Sequence, residues 1–212
     1  MKYKLCEISK GIYFIEFENN YDLAMLFLRY QEYYESPKFK NKNFSIIDYM
    51  EWYSKSNKGS FTYATDWAGF NIPVHIIALA YVAAPDCNKY DVEMMQIYQK
   101  IKSIEVIEKS YLIGAVKGKS STIKHEVAHG LYFVDEKYKR EMDFLISELP
   151  KTIYKKIKTK LLKMGYCKDV IKDEIQAYLT QKPPYFDCIT NQMQKPFLEF
   201  FKKYIKEIKL KI

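Results

Sequence analysis

The chain has 212 residues, 48% of them hydrophobic and 17% aromatic, with a formal charge of +8. This suits one folded domain and excludes a disordered chain. No run of about twenty apolar residues occurs and the first residues lead into charged sequence, so neither a membrane span nor a secretory leader is expected and the protein is read as soluble and cytoplasmic. Cys6, Cys87, Cys167 and Cys188 are far apart, with no Cys-x-x-Cys pair, which points to free thiols. Among the 34 basic residues only Arg29 and Arg140 are arginine. Base and phosphate recognition favours the guanidinium fork, so no nucleic-acid partner is expected.

In chain order, residues 11–17 are β-branched and aromatic and read as a strand. Residues 22–34 carry Leu23, Leu26, Phe27, Tyr30 and Tyr34 at helical spacing and stop before Pro37. Residues 38–43 read as a basic loop, residues 44–54 as a second helix and residues 61–65 as a strand or extended segment. Residues 66–73 mix aromatic, Gly, Asn and Pro as a structured loop does, and Asp66, Trp67 and Asn71 are candidates for substrate contact there. The apolar residues 74–84 fit a buried helix or strand, with His75 a structural histidine, and residues 91–103 fit an amphipathic helix begun by Asp91. Residues 104–107 and 111–116 read as two short strands joined by a turn. Beyond a central helix come helices over residues 136–149, 151–164 and 169–181, the last with Asp169 as N-cap and Pro183 and Pro184 after it. A final helix runs from Pro196 towards Ile208, with the proline in its first turn. The whole reads as one α+β domain, 1–212: helices and a small mixed sheet over 1–120, a helical part over 121–212.

The central helix carries the chemistry. Residues 122–134 place Ile123, Val127, Leu131 and Val134 on one apolar stripe, with Ser121 or Thr122 as cap. His125 and His129, four apart, share a face off that stripe with Glu126 beside them. Two of the chain's three histidines sit in this pair. Two imidazoles and a neighbouring carboxylate are half of a zinc site with its base.

His125-Glu126-Val127-Ala128-His129 resembles the HExxH helix of the zincin metallopeptidases. The resemblance implies a zincin-like fold, Zn2+ as cofactor, a peptide or protein substrate, His125 and His129 as metal ligands, and Glu126 as general base. It further implies a sheet edge strand just ahead of the helix that binds extended substrate; residues 111–116 stand in that place. Catalytic zinc usually takes three protein ligands. Glu174, with Ala177 three positions on, looks like the second-helix pattern of the gluzincin branch, with Asp173 a candidate to orient a histidine. Asp135 is the alternative, at the metzincin position, although Tyr132 stands where that branch needs Gly. Tyr178, one turn beyond Glu174, is a candidate oxyanion donor.

Two other readings stand beside this one. The chain is a zincin-fold binding or structural protein without turnover, or it binds nucleotide through residues 114–120, Gly-Ala-Val-Lys-Gly-Lys-Ser. The second stretch follows a strand and precedes a helix, but Gly114 and Gly118 are one residue too close for a P-loop, which also continues into Lys119 and Ser120.

Overall fold

A computed structural model describes residues 1–181 and 184–210. It is an α+β structure built on a four-stranded mixed sheet of order β1-β2-β4-β3. β1 (Tyr3–Ser9) and β2 (Ile12–Phe17) form an antiparallel hairpin, β2 runs parallel to β4 (Tyr111–Val116), and β3 (Gly69–Pro73) runs antiparallel to β4. Side-chain alternation divides the sheet's faces between two cores. Ile15, Phe17, Phe70, Ile72 and Leu112 pack with α1 (Asn20–Glu35), α4 (His75–Ala83) and α5 (Lys89–Lys102). Ile12, Phe14, Ile113 and Ala115 face the layer of α6 (Ser120–Val134), α7 (Glu136–Ser147), α9 (Ile171–Leu179) and α10 (Asn191–Glu207). α2 (Ile46–Ser56), α3 (Tyr63–Asp66) and α8 (Lys151–Lys163) complete the helices.

α1 starts where Asn19 accepts the Asp22 N–H at 2.8 Å and ends before Pro37, whose ring disfavours helical geometry at Ser36. It lies directly on β4. A side chain at Gly114 would place its Cβ 2.6 Å from the Phe27 ring and 2.7 Å from Leu23. Arg29, 2% exposed, ties α1 to α5 through Asp91 at 2.8 and 3.1 Å and also grips Asp86 and the Phe44 carbonyl. A partner at each of its three nitrogens, two of them carboxylate-bound, is what makes a buried guanidinium tolerable.

Several expectations change. β4 is interior, because β2 and β3 take both its edges; the edge strand beside α6 is β3, in the stretch read as a loop. With both edges of β4 taken, residues 104–107 form no hairpin with it: Ile104 and Val106 are exposed and a one-turn 3-10 helix follows at Ile107–Lys109. Residues 61–65 give way to the short helix α3, held where Asn20 Nδ2 bonds the Ala64 and Trp67 carbonyls. The apolar segment after Val74 is the helix α4. β1 went unread because its outward face is polar. Neither Ser121 nor Thr122 caps α6, which begins at Ser120 without a side-chain cap. Asp169 lies in a 3-10 turn ahead of α9 rather than capping it. α10 starts earlier than Pro196, at a Thr190 cap accepting the Met193 N–H at 3.2 Å, so the proline sits inside the helix. Pro183 lies outside the described residues. All four cysteines are free, and among the described residues no helix is long and apolar enough to cross a membrane.

Candidate metal centre and cleft

β4 delivers the chain into α6 through only three residues, 117–119. On α6, Val127, Ala128 and Leu131 are buried against the sheet, which turns His125, Glu126 and His129 towards a cleft bounded by β3, α9 and the C-terminal half of α1. α9 packs across α6 at Ala177. The fully buried Gln176 locks the two together: its Nε2 donates to the Ala128 carbonyl at 3.1 Å and to Asp173 Oδ1 at 2.9 Å, and its Oε1 accepts from the Tyr138 hydroxyl at 3.0 Å. This docking brings Glu174, 4% exposed, to His129, with Oε1 3.6 Å from Nε2. On the far side of the ring Asp173 Oδ1 lies 2.9 Å from His129 Nδ1.

His125, His129 and Glu174 form a group whose ligand atoms all lie within 4.8 Å of one another. The two Nε2 atoms face each other at 3.2 Å. Two nitrogens each bonded to one tetrahedral ion at the usual zinc distance are about 3.3 Å apart, so the imidazoles already hold the spacing of a shared metal. Glu174 Oε2 is buried with no hydrogen-bond partner, an expensive arrangement that a cation relieves. The group therefore fits a metal ion, with Asp173 fixing the His129 ring from behind.

The charges are strongly coupled. Burial opposes a charge on His129, but the Asp173 and Glu174 carboxylates outweigh it and hold the imidazolium up to about 10. His125 is pushed well below its ordinary value by burial and by the charge of His129. Burial raises Glu174 well above the carboxylate range and Glu126 to about 7.

Glu126 is 5% exposed and is held from β3. Asn71 Nδ2 donates to Glu126 Oε2 at 2.7 Å. The Tyr111 hydroxyl donates to Asn71 Oδ1 at 2.5 Å, which fixes which end of the amide meets the carboxylate. The strand passes this close because residue 69 is glycine: a Cβ there would lie 2.3 Å from Glu126 Oε1. Asn71, a candidate for substrate contact, is thus a partner of the candidate base. Asp66 and Trp67 do line the cleft, where Asp66 accepts from the Tyr53 and Thr62 hydroxyls at 2.5 and 2.6 Å.

The cleft encloses about 380 Å³. Tyr178 stands in its wall, its ring 4.8 Å from that of His125, its hydroxyl 3.1 Å from the Tyr166 hydroxyl and its other side stacked on Tyr185. Opposite, α1 contributes Gln31, Glu32 and Glu35. Burial lifts both Glu32 and Glu35 to about 7. Sequence reading missed these three and Gln176. The signal available was polar residues on the apolar face of a helix, legible only once that face is known to border a cleft.

Asp135 does not join the group. It caps α7, accepting the Lys137 and Tyr138 N–H at 2.9 and 3.1 Å, and takes the Tyr204 hydroxyl. His75 stacks on Phe133 apart from the histidine pair. Gly114 lies inside β4 against Leu23 and Phe27, leaving a three-residue connection in place of a phosphate-wrapping loop. No protein-family model, curated protein or solved structure matches the chain.

Proposed function

We propose that this protein is a zinc-dependent peptidase of the zincin type, with the ligand set of the gluzincin branch: His125, His129 and Glu174. The observation that carries the reading is the convergence of these three ligands beside Glu126 in a cleft that opens on a sheet edge. When bound, zinc supplies Lewis acidity, bringing a water's pKa near neutrality and polarising the substrate carbonyl.

The protein's own residues supply the rest. Glu126 takes the proton of the attacking water and returns it to the leaving amine. Its elevation to about 7 suits a group that must both accept and release a proton at neutral pH. With Oε2 held by Asn71, the proton goes to Oε1. The Tyr178 hydroxyl, at the cleft wall, donates to the oxygen that becomes negative. Asp173 keeps the His129 ring in its ligating orientation. The free side of β3 takes the peptide in extended form.

The test is Glu126→Gln. The variant keeps its zinc and loses at least about 100-fold in hydrolysis, in line with the usual contribution of a general base. A zinc-loaded variant with full activity overturns the mechanism.

A further inference from the structure

The way the β3 edge ends points to a substrate class, an inference that rests on the hydrolytic reading above. Along β3 the groups facing away from β4 belong to Gly69, Asn71 and Pro73. The Asn71 N–H is already taken by Gln31 Oε1 at 3.1 Å, and Pro73 has no N–H to offer. A peptide laid on this edge therefore finds an N–H only at Gly69, and past it the edge offers carbonyl acceptors alone. Gln31, 8% exposed, is fixed in this place by a second bond, from its Nε2 to Glu35 Oε1 at 2.5 Å.

The blocked end carries carboxyl groups that ionise above about pH 7. Glu35 and Glu32 line it, and Glu35 lies close enough to Glu126, Asp173 and His129 to feel their charges. Among the described residues no Lys or Arg lines the cleft, in a chain of charge +8. A peptide that stops here with a carboxylate meets repulsion; one that stops with an amine meets its counter-charge.

We propose that the cleft seats a substrate ammonium group on Glu35, with Glu32 behind it, and that Gln31 is the stop that ends the substrate strand. The substrates are then short or terminal segments bearing a free amine next to the scissile bond. Hydrolysis adds the water's hydroxyl to the carbonyl carbon and its proton to the departing amine, releasing the amine-bearing piece. Two sources share this chemistry, an α-amine at a peptide's start and a lysine side chain.

The experiment is calorimetric binding of three hydroxamates to the zinc-loaded full chain: leucine hydroxamate, Nα-acetyl-leucine hydroxamate and Nα-acetyl-lysine hydroxamate. An ammonium site predicts that at least one amine-bearing compound binds about tenfold or more tighter than acetyl-leucine hydroxamate. Glu35→Gln, and to a smaller extent Glu32→Gln, erases that preference while zinc stoichiometry and melting temperature hold. Preference for leucine hydroxamate identifies the terminal amine, and preference for acetyl-lysine hydroxamate the side chain. Equal binding of all three, or a preference untouched in both variants, overturns the proposal. A protein that takes up no zinc is recognised beforehand by its metal content; it overturns the hydrolytic reading and this inference with it.

Discussion

Gly69→Ala places one methyl group where the structure has no room. Its Cβ would lie 2.3 Å from Glu126 Oε1, 2.9 Å from Glu126 Cδ and 2.6 Å from the Thr122 methyl. Thr122 is half-buried and turns aside, but Glu126 is buried and tethered at Oε2, so relieving the clash breaks the bond from Asn71. A hydrogen bond to a charged group contributes about 1.5–3 kcal/mol. At this chain length each kcal/mol moves the melting temperature by about 2–4 °C, so the metal-free variant melts about 3–12 °C below wild type. The scan belongs at pH 8, above the Glu126 elevation to about 7, where the carboxylate is ionised. The same substitution in a Glu126→Ala background has no carboxylate to displace and costs far less. An equal loss in both backgrounds would refute the contact as the cause.

Other perturbations separate the parts of the account. Asn71→Ala leaves zinc affinity unchanged and lowers kcat about 10- to 100-fold with little change in KM, and in a Glu126→Gln background it has no further effect on kcat; an additive loss there would mean that Asn71 acts elsewhere. Zinc binding releases protons, because ligands must be deprotonated and His129 in the metal-free protein stays charged up to about 10. Apparent affinity therefore rises with pH through the neutral and mildly alkaline range, and calorimetry in buffers of different ionisation enthalpy that detects no proton release would contradict the coupling. Arg29→Ala strands Asp91 in the core and destabilises by about 3–5 kcal/mol in chemical denaturation, whereas a loss under about 1 kcal/mol would show that the pair is not effectively buried.

Most of the helices were legible because their apolar residues recur at helical spacing; their caps were not, since the residues that cap are Asn19, Ser45, Asn88, Asp135 and Thr190 rather than Ser121, Thr122, Asp91 or Asp169. The histidine pair and Glu126 were legible from the same spacing: four residues on a helix is a distance. Glu174 needed a family resemblance, since nothing in the sequence gives the packing of α9 on α6 that Gln176 and Ala177 produce. The sheet was harder. β3 is only Gly69-Phe70-Asn71-Ile72-Pro73, and its Gly, Asn and Pro are turn-forming residues in isolation. In the fold each answers a tertiary demand: Gly69 clears Glu126, Asn71 holds it, and Pro73 closes the strand. Residues 104–107 fail in the opposite direction, with strand propensity beside a strand, β4, whose two edges are already paired. Gln31 and Glu35 belong to the cleft through long-range contacts alone, which no local pattern reports, and the bond from Asn71 to Glu126 is of the same kind.

The proposed chemistry requires that His125, His129 and Glu174 hold one metal ion. The most direct measurement is zinc content by elemental analysis of purified wild type beside His129→Ala and Glu174→Ala, each after reconstitution and desalting. Wild type is expected to carry one zinc per chain, lost or sharply weakened in both variants. No zinc in wild type, or one zinc retained in both variants, would contradict it.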